Sequence, residues 1–308
     1  MAEILRNEIA TEGVAGGKVW LIGGTSESAE LAVTLAAQGI PFVVTVTTET
    51  ARQLYAETTQ VVIGTLTLTQ MAKFVRQQDV VCIVDASHPF ARVVSEGAIA
   101  IATQRVSATG PIEKPIDWPV ENTTEKETAV SLSREIAYLR YERNQILPDN
   151  QSPVSIDTSL KTLLNCPQLH HQRILFTLGY QSLLTYTDEL SRLRQKSKLF
   201  ARILPSQVAI SAALAAGFSS KEIVALRPPI SLALEKALWQ QWAISMVVAK
   251  ASGHAGGEAI KRQVAAELGV HLRLLERPPI TYPLQTSCVS DVISFCKAQL
   301  LRCHYSNE

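Results

Sequence analysis

An acid, a hydroxyl and an imidazole stand together in the run VVCIVDASHPF, at Asp85, Ser87 and His88. Placed at the end of an apolar strand, such groups bind polar ligands or move protons. Each also has a plainer role open to it. Asp85 could close an Asx turn, Pro89 could end the strand, and His88 could be a neutral buried ring. Their clustering favours a site, with Asp85 and His88 as catalytic candidates and Ser87 as a ligand contact. A second run, VVAKASGHAGGEAIK, pairs Lys250 with a loop of small residues that includes Ser252, Gly253, Gly256 and Gly257. Glycines allow close backbone approach, and a lysine beside them suits a phosphate or carboxylate. A flexible connector with a solvated lysine is the competing reading.

A third run, VWLIGGTSESAELAVTLAAQG, reads as an apolar strand, the turn Gly23-Gly24-Thr25-Ser26 and an amphipathic helix. It is neither G-x-G-x-x-G nor a P-loop. The start of a helix still presents N–H groups and the positive end of a dipole to an anion. Taken alone, the turn could be a tight connection and nothing more. Its place after the first strand of an α/β domain favours dinucleotide phosphates. The next strand, FVVTVTTETARQ, ends in Thr45, Thr47 and Thr48, with Arg52 beyond and no acid for ribose hydroxyls. Hydroxyls near a cation suit a 2′-phosphate, so NADPH is expected over NADH, although threonines are common in strands for their own sake.

These residues need a frame to hold them. Apolar, β-branched runs alternate with helical patterns: KVWLIGG, FVVTVTT, VVIG, VVCIVDAS and IAYLRYE, then RILFTLGY, KLFARIL, EIVALRP, ISMVVAKAS and HLRLLERP. Continuous apolar strands separated by helices imply parallel sheets built from βαβ units. The expected class is α/β, with two doubly wound, Rossmann-like parallel-sheet domains in tandem. Residues 1–17 read as an extension and 18–145 as the dinucleotide-binding domain, with a proline-rich inserted loop near 106–130. Residues 146–172 read as a linker and 173–308 as a second domain that completes the site, closed by the helix SCVSDVISFCKAQLL.

The chain has 308 residues, 46% of them hydrophobic, 19% charged, with a net charge of +1. That balance argues against a nucleic-acid surface built on phosphate contacts. Five cysteines without a CxxC pair point to reduced thiols in a cytoplasmic protein, and no metal site is expected. No secretory signal and no membrane span are expected either. Oligomeric state is not legible.

In order along the chain, GGTSES, DASHPFA, YLRYER, LFTLGYQSL and AKASGHAGG resemble the motifs of the precorrin-6A reductase family, NAD(P)H-dependent enzymes of cobalamin biosynthesis. The resemblance runs from about residue 18 to the end. Ser87 stands where the family usually has threonine, and Ala29 where arginine often follows the first motif. In the late loop Ala249, Ala251 and His254 replace family residues, and the helical lysine falls one position on, at Lys261. The resemblance implies hydride delivery from the nicotinamide to one carbon of a conjugated macrocycle and a proton from a residue or water. It implies a carboxylate-rich tetrapyrrole substrate held in a crevice between domains. Arg140, Arg143, Arg202, Arg277 and Lys250 are the candidate carboxylate partners. The candidate cofactor contacts are Gly23, Gly24, Thr25, Ser26, Thr45, Thr47, Ser87, Lys250, Ser252 and Gly253. Two other readings stand beside the resemblance: an S-adenosylmethionine-dependent tetrapyrrole methyltransferase, and a non-catalytic dinucleotide sensor.

Overall fold

The computed structural model describes residues 17–103, 135–142, 153–253 and 256–305. The chain divides into two compact units, 1–142 with 280–308, and 143–279. In the first, the elements run β1 (Lys18–Ile22), α1 (Ser26–Ala37), β2 (Phe42–Val46), α2 (Glu49–Arg52), β3 (Val61–Ile63), α3 (Leu68–Gln77), β4 (Val80–Asp85), α4 (Arg92–Ala102) and β5 (Ala137–Tyr141). The second holds β6 (Val154–Asp157), α5 (Leu160–Leu164), β7 (Arg173–Phe176), α6 (Tyr180–Thr185), α7 (Thr187–Arg194), β8 (Lys198–Ile203), α8 (Gln207–Ala215), β9 (Ile223–Ala225), α9 (Leu232–Gln241), β10 (Met246–Lys250), α10 (Glu258–Leu268) and β11 (His271–Leu275). The chain then returns to the first unit with β12 (Gln285–Thr286) and α11 (Val289–Tyr305).

Each unit is built on a six-stranded sheet, ordered β12-β5-β4-β1-β2-β3 in the first and β6-β11-β10-β7-β8-β9 in the second. Every strand pair is parallel. Both are doubly wound, with the strand order reversing at β1/β4 and at β7/β10, the points where such sheets open a crevice beyond their strand ends. Strand alternation sorts the first core by parity. Val19 and Leu21 pack on one face with Leu31, Leu35, Val292 and Cys296. Trp20 and Ile22 pack on the other with Met71, Phe74, Ile83 and Ile101. Thr25 caps α1 and Thr67 caps α3, each in a reciprocal capping box. Among the described residues no helix is long and apolar enough to cross a membrane.

The domain boundaries differ from the sequence expectation. The stretch expected as a linker over 146–172 carries β6, which pairs with β11 as an edge strand of the second sheet. The closing helix α11, expected in the second domain, packs its Val292 and Cys296 into the first core, and β12 pairs with β5. Both edge strands are short and lack an apolar run (VSID and QT), so periodicity does not announce them. Short edge strands of this kind leave little unpaired backbone for another chain to add to. The expected insertion near 106–130 and nearly all of the extension lie outside the described residues.

Truncating Val292, which is fully buried, tests the assignment of α11. Val292→Ala is expected to cost the first unit about 2 kcal/mol. Hydrogen exchange followed by mass spectrometry should show faster exchange in β1, β4 and β5 and no change in β7 and β10.

Candidate active site

Asp85 ends β4 opposite Arg140 of β5 in the parallel register, so both side chains leave the same face of the sheet. Tyr138, two residues earlier on β5, shares that face. Asp85 has 0% exposure and Arg140 1%. Arg140 Nη1 donates to Asp85 Oδ1 at 2.8 Å, and the Ser87 amide donates to the same oxygen at 3.0 Å. Asp85 Oδ2 accepts from Ser95 Oγ at 2.6 Å and from Tyr138 Oη at 2.7 Å. Arg140 spends its remaining donors on Glu142 Oε2 (2.9 Å), the Ser87 carbonyl (3.0 Å) and Ser87 Oγ (3.1 Å). Its guanidinium also lies 5.4 Å from the centroid of the Tyr282 ring.

The electrostatics follow from burial with compensation. Burial works against the Arg140 charge, but Asp85 and Glu142 outweigh it and raise the guanidinium above its ordinary value. Burial and the adjacent Asp85 charge push the Tyr138 phenol well up, so it remains a donor.

This geometry revises two expected roles. Asp85 was expected as a catalytic group and Arg140 as a substrate contact. Both are enclosed, with their polar atoms turned on each other, and Arg140 holds the Ser87-His88 loop through the Ser87 carbonyl and hydroxyl. Ser87 is itself buried at 5% exposure and bonded to Arg140. His88 is half-buried and leads off that loop. Its Nδ1 accepts the Phe90 amide at 3.2 Å, which puts the proton of the neutral ring on Nε2.

The glycine turn lies beside this loop, across the reversal in strand order. Thr25 Oγ1 donates to the Ala86 carbonyl at 3.0 Å, tying the turn to the end of β4. Gly24 takes φ +97°, a conformation that favours glycine. Most amides of the turn are engaged internally. Gly23 donates to the Thr45 carbonyl (2.9 Å), Gly24 to Tyr55 Oη (2.8 Å) and Thr25 to Ser28 Oγ (3.0 Å). Ser26, the first residue of α1, is exposed. Thr45 was expected to face a ribose, yet its hydroxyl accepts the Trp20 indole N–H at 2.9 Å inside the core. Thr47 is exposed just past β2. Arg52 caps the carbonyls of Tyr55, Ala56 and Glu57.

The second unit carries the other candidates. Lys250 ends β10, and burial lowers its ammonium below the ordinary lysine value. Ser252 is buried. The Gly253 amide donates to Glu258 Oε2 at 2.8 Å, and Lys261 Nζ donates to the carbonyls of Gly256 (3.1 Å) and Gly257 (3.2 Å). Arg202, expected on substrate, is ion-paired with buried Glu235, which also accepts the Trp239 indole N–H. Arg277, expected likewise, donates its Nε to the Ala251 carbonyl at 2.9 Å. Arg143 lies outside the described residues. Arg140, Arg202 and Arg277 each have a hydrogen-bonded or ion-paired partner within their own unit.

Sequence reasoning missed Tyr55, Ser95, Glu142 and the hydroxyl role of Tyr138. The signal for Tyr138 was present, since its spacing of two from Arg140 puts both on one strand face. None marks Tyr55, which reaches the turn from a separate loop.

Comparison with known proteins accords with this architecture. The family model described as precorrin-6x reductase CbiJ/CobK matches residues 18–113 and 121–297. The chain is 40% identical over 286 residues to the cobalt-precorrin-6A reductase of Synechocystis sp., covering 92% of this chain and 97% of that protein. It is 30% identical to the cobalt-precorrin-6A reductase of Priestia megaterium, covering 89% and 96%. Its fold is similar to the solved structure of CobK precorrin-6A reductase, with a TM-score of 0.68 at 20% identity over 92% of this chain and 97% of that one.

Two outcomes are expected for the buried charges. Arg140→Met, which strands the Asp85 carboxylate, should cost about 3–5 kcal/mol in urea unfolding; Tyr138→Phe, which removes one of four donors, about 1–2 kcal/mol. Lys261 gives a pH signature. Burial, reinforced by Arg202, lowers its ammonium from 10.5 to about 8 against the opposing pull of Glu235 and Glu258. The unfolded chain therefore binds more protons between about 8 and 10.5, and this group makes the fold more stable as pH rises through that window. Lys261→Met should flatten that rise in unfolding experiments across it. The family model matches most of the described chain and a relative is 40% identical nearly end to end, and the chain belongs to the precorrin-6x reductases.

Proposed function

We propose that this chain reduces precorrin-6A in cobalamin biosynthesis with a nicotinamide dinucleotide, NADPH over NADH, and that it takes the cobalt-bound macrocycle. The observation that carries the reading is the near end-to-end match at 40% identity to a relative named for that reaction. Two relatives named for the cobalt form support that choice of substrate.

The first unit fits a dinucleotide. A glycine turn enters α1 beside the reversal of strand order, where the crevice of a doubly wound sheet opens. Gly23, Gly24 and Thr25 shape the turn, and the Ser26 amide opens the helix toward a phosphate. Exposed Thr47 and Thr48 offer hydroxyls at the end of β2, where a ribose phosphate would lie. When bound, the nicotinamide supplies the hydride.

The protein's own share is placement and the proton. Asp85 and Arg140 hold the loop that presents His88. His88, once protonated by solvent to the imidazolium, passes its Nε2 proton to the conjugated system as the neighbouring carbon accepts the hydride, and returns to the neutral ring. Lys250 and the Ser252-Gly253 loop are the anion-facing groups of the second unit. The methyltransferase and sensor readings have no observation in their favour.

The test follows nicotinamide absorbance and the corrinoid spectrum together, with NADPH or NADH and with cobalt-bound or cobalt-free precorrin-6A. Oxidation of the cofactor matched to loss of one double bond is expected, fastest with NADPH and the cobalt form. Binding of the dinucleotide without turnover of either macrocycle would overturn the reading. His88→Gln should lower kcat about 10²–10⁴-fold with cofactor affinity retained; an unchanged kcat would hand the proton to solvent.

A further inference from the structure

Tyr55 stands outside every motif of the sequence, yet its hydroxyl lies under the glycine turn. The side chain is 6% exposed. Tyr55 Oη accepts the Gly24 amide at 2.8 Å and lies 2.6 Å from Ser28 Oγ. The protons of this cluster have a single consistent arrangement. Ser28 Oγ donates to the Thr25 carbonyl at 2.7 Å and accepts the Thr25 amide at 3.0 Å. Its one hydrogen is thereby used, so the Tyr55 hydroxyl donates to Ser28 Oγ. The phenol thus takes an amide from the turn and gives a proton to the first turn of α1.

Gly23 makes this approach possible. A Cβ there would lie 2.2 Å from Tyr55 Oη and 2.9 Å from Val44 Cγ1. The loop that delivers Tyr55 is held in turn by Arg52, whose guanidinium donates to the carbonyls of Tyr55 (3.1 Å), Ala56 (3.4 Å) and Glu57 (3.3 Å). Arg52 ends the short helix that follows β2. The segment beyond β2 and the turn beyond β1 are therefore one hydrogen-bonded unit.

We propose that Tyr55 is a positioning residue for cofactor binding: through Gly24 and Ser28 it fixes the glycine turn in its anion-binding shape and couples that turn to the segment beyond β2. This rests on the reading that the turn holds a dinucleotide. Two distant parts of the ligand, its pyrophosphate and its ribose end, are then met by one preorganised element, and preorganisation lowers the cost of binding.

The experiment compares wild type, Tyr55→Phe, Gly23→Ala and the double variant by NADPH titration of intrinsic fluorescence and by steady-state kinetics on the full chain. Tyr55→Phe keeps the ring but leaves the Gly24 amide and the Ser28 hydroxyl without their phenol. It is expected to raise the NADPH Kd and KM about 10-fold, with kcat within about twofold and an unchanged circular dichroism spectrum. Gly23→Ala should raise Kd similarly or more, and the double variant should fall short of the product of the single effects, because both act on the same contact. The proposal is overturned if Tyr55→Phe binds NADPH like wild type, or if the two effects multiply independently. Should Tyr55→Phe fold poorly, Gly23→Ala with an unaltered Kd overturns it by itself. A wild type that binds no nicotinamide dinucleotide removes the functional reading and this inference together; a wild type that binds while Tyr55→Phe matches it removes the inference alone.

Discussion

A carboxylate and a guanidinium facing each other across β4 and β5 are the constraint on which the first unit's site depends. Burying either charge alone would be prohibitive. Together, with Ser87, Ser95, Tyr138 and Glu142 completing their hydrogen bonds, they form a closed network at the C-terminal end of β4. A closed network of this kind admits one arrangement, because any shift leaves a buried donor or acceptor unmet. The loop carrying His88 inherits that rigidity. Arg140 grips it at the Ser87 carbonyl and hydroxyl.

The second unit solves the matching problem with different residues. Its glycine loop follows β10, the strand that corresponds in sheet order to β4. Glu258 holds the loop's Gly253 amide, and Lys261 holds the carbonyls of Gly256 and Gly257. Here the cation braces backbone oxygens, and Glu258 is paired with Arg262. An ammonium with carbonyl partners is less well compensated than a guanidinium on a carboxylate. Burial, reinforced by Arg202, outweighs Glu235 and Glu258 and lowers Lys261, whereas Asp85 and Glu142 outweigh burial and raise Arg140.

A common economy runs through both units. Charged residues that would serve as substrate contacts on an exposed surface are spent on loop geometry. Arg140, Arg202 and Arg277 each have an internal partner. The glycine turn follows the same rule, since its amides are largely engaged by Thr45, Tyr55 and Ser28.

By itself the sequence determined the class of fold and the places where chemistry could occur. Apolar runs such as VVCIVD and MVVAK, alternating with helical patterns, read as buried strands, and a small-residue turn between strand and helix is local chemistry. The motifs that mark the reductase family were legible for the same reason, being contiguous. Tertiary structure alone decided what those residues do. Asp85 and Arg140 lie 55 positions apart, and only strand pairing turns a presumed acid and a presumed substrate contact into one internal ion pair. The same holds for β6 and β12, which pair with the edges of their sheets, and for α11, which packs Val292 and Cys296 into the first core. Tyr55 is the clearest case: a tyrosine in a polar loop carries no signal until the chain folds and brings its hydroxyl to the Gly24 amide.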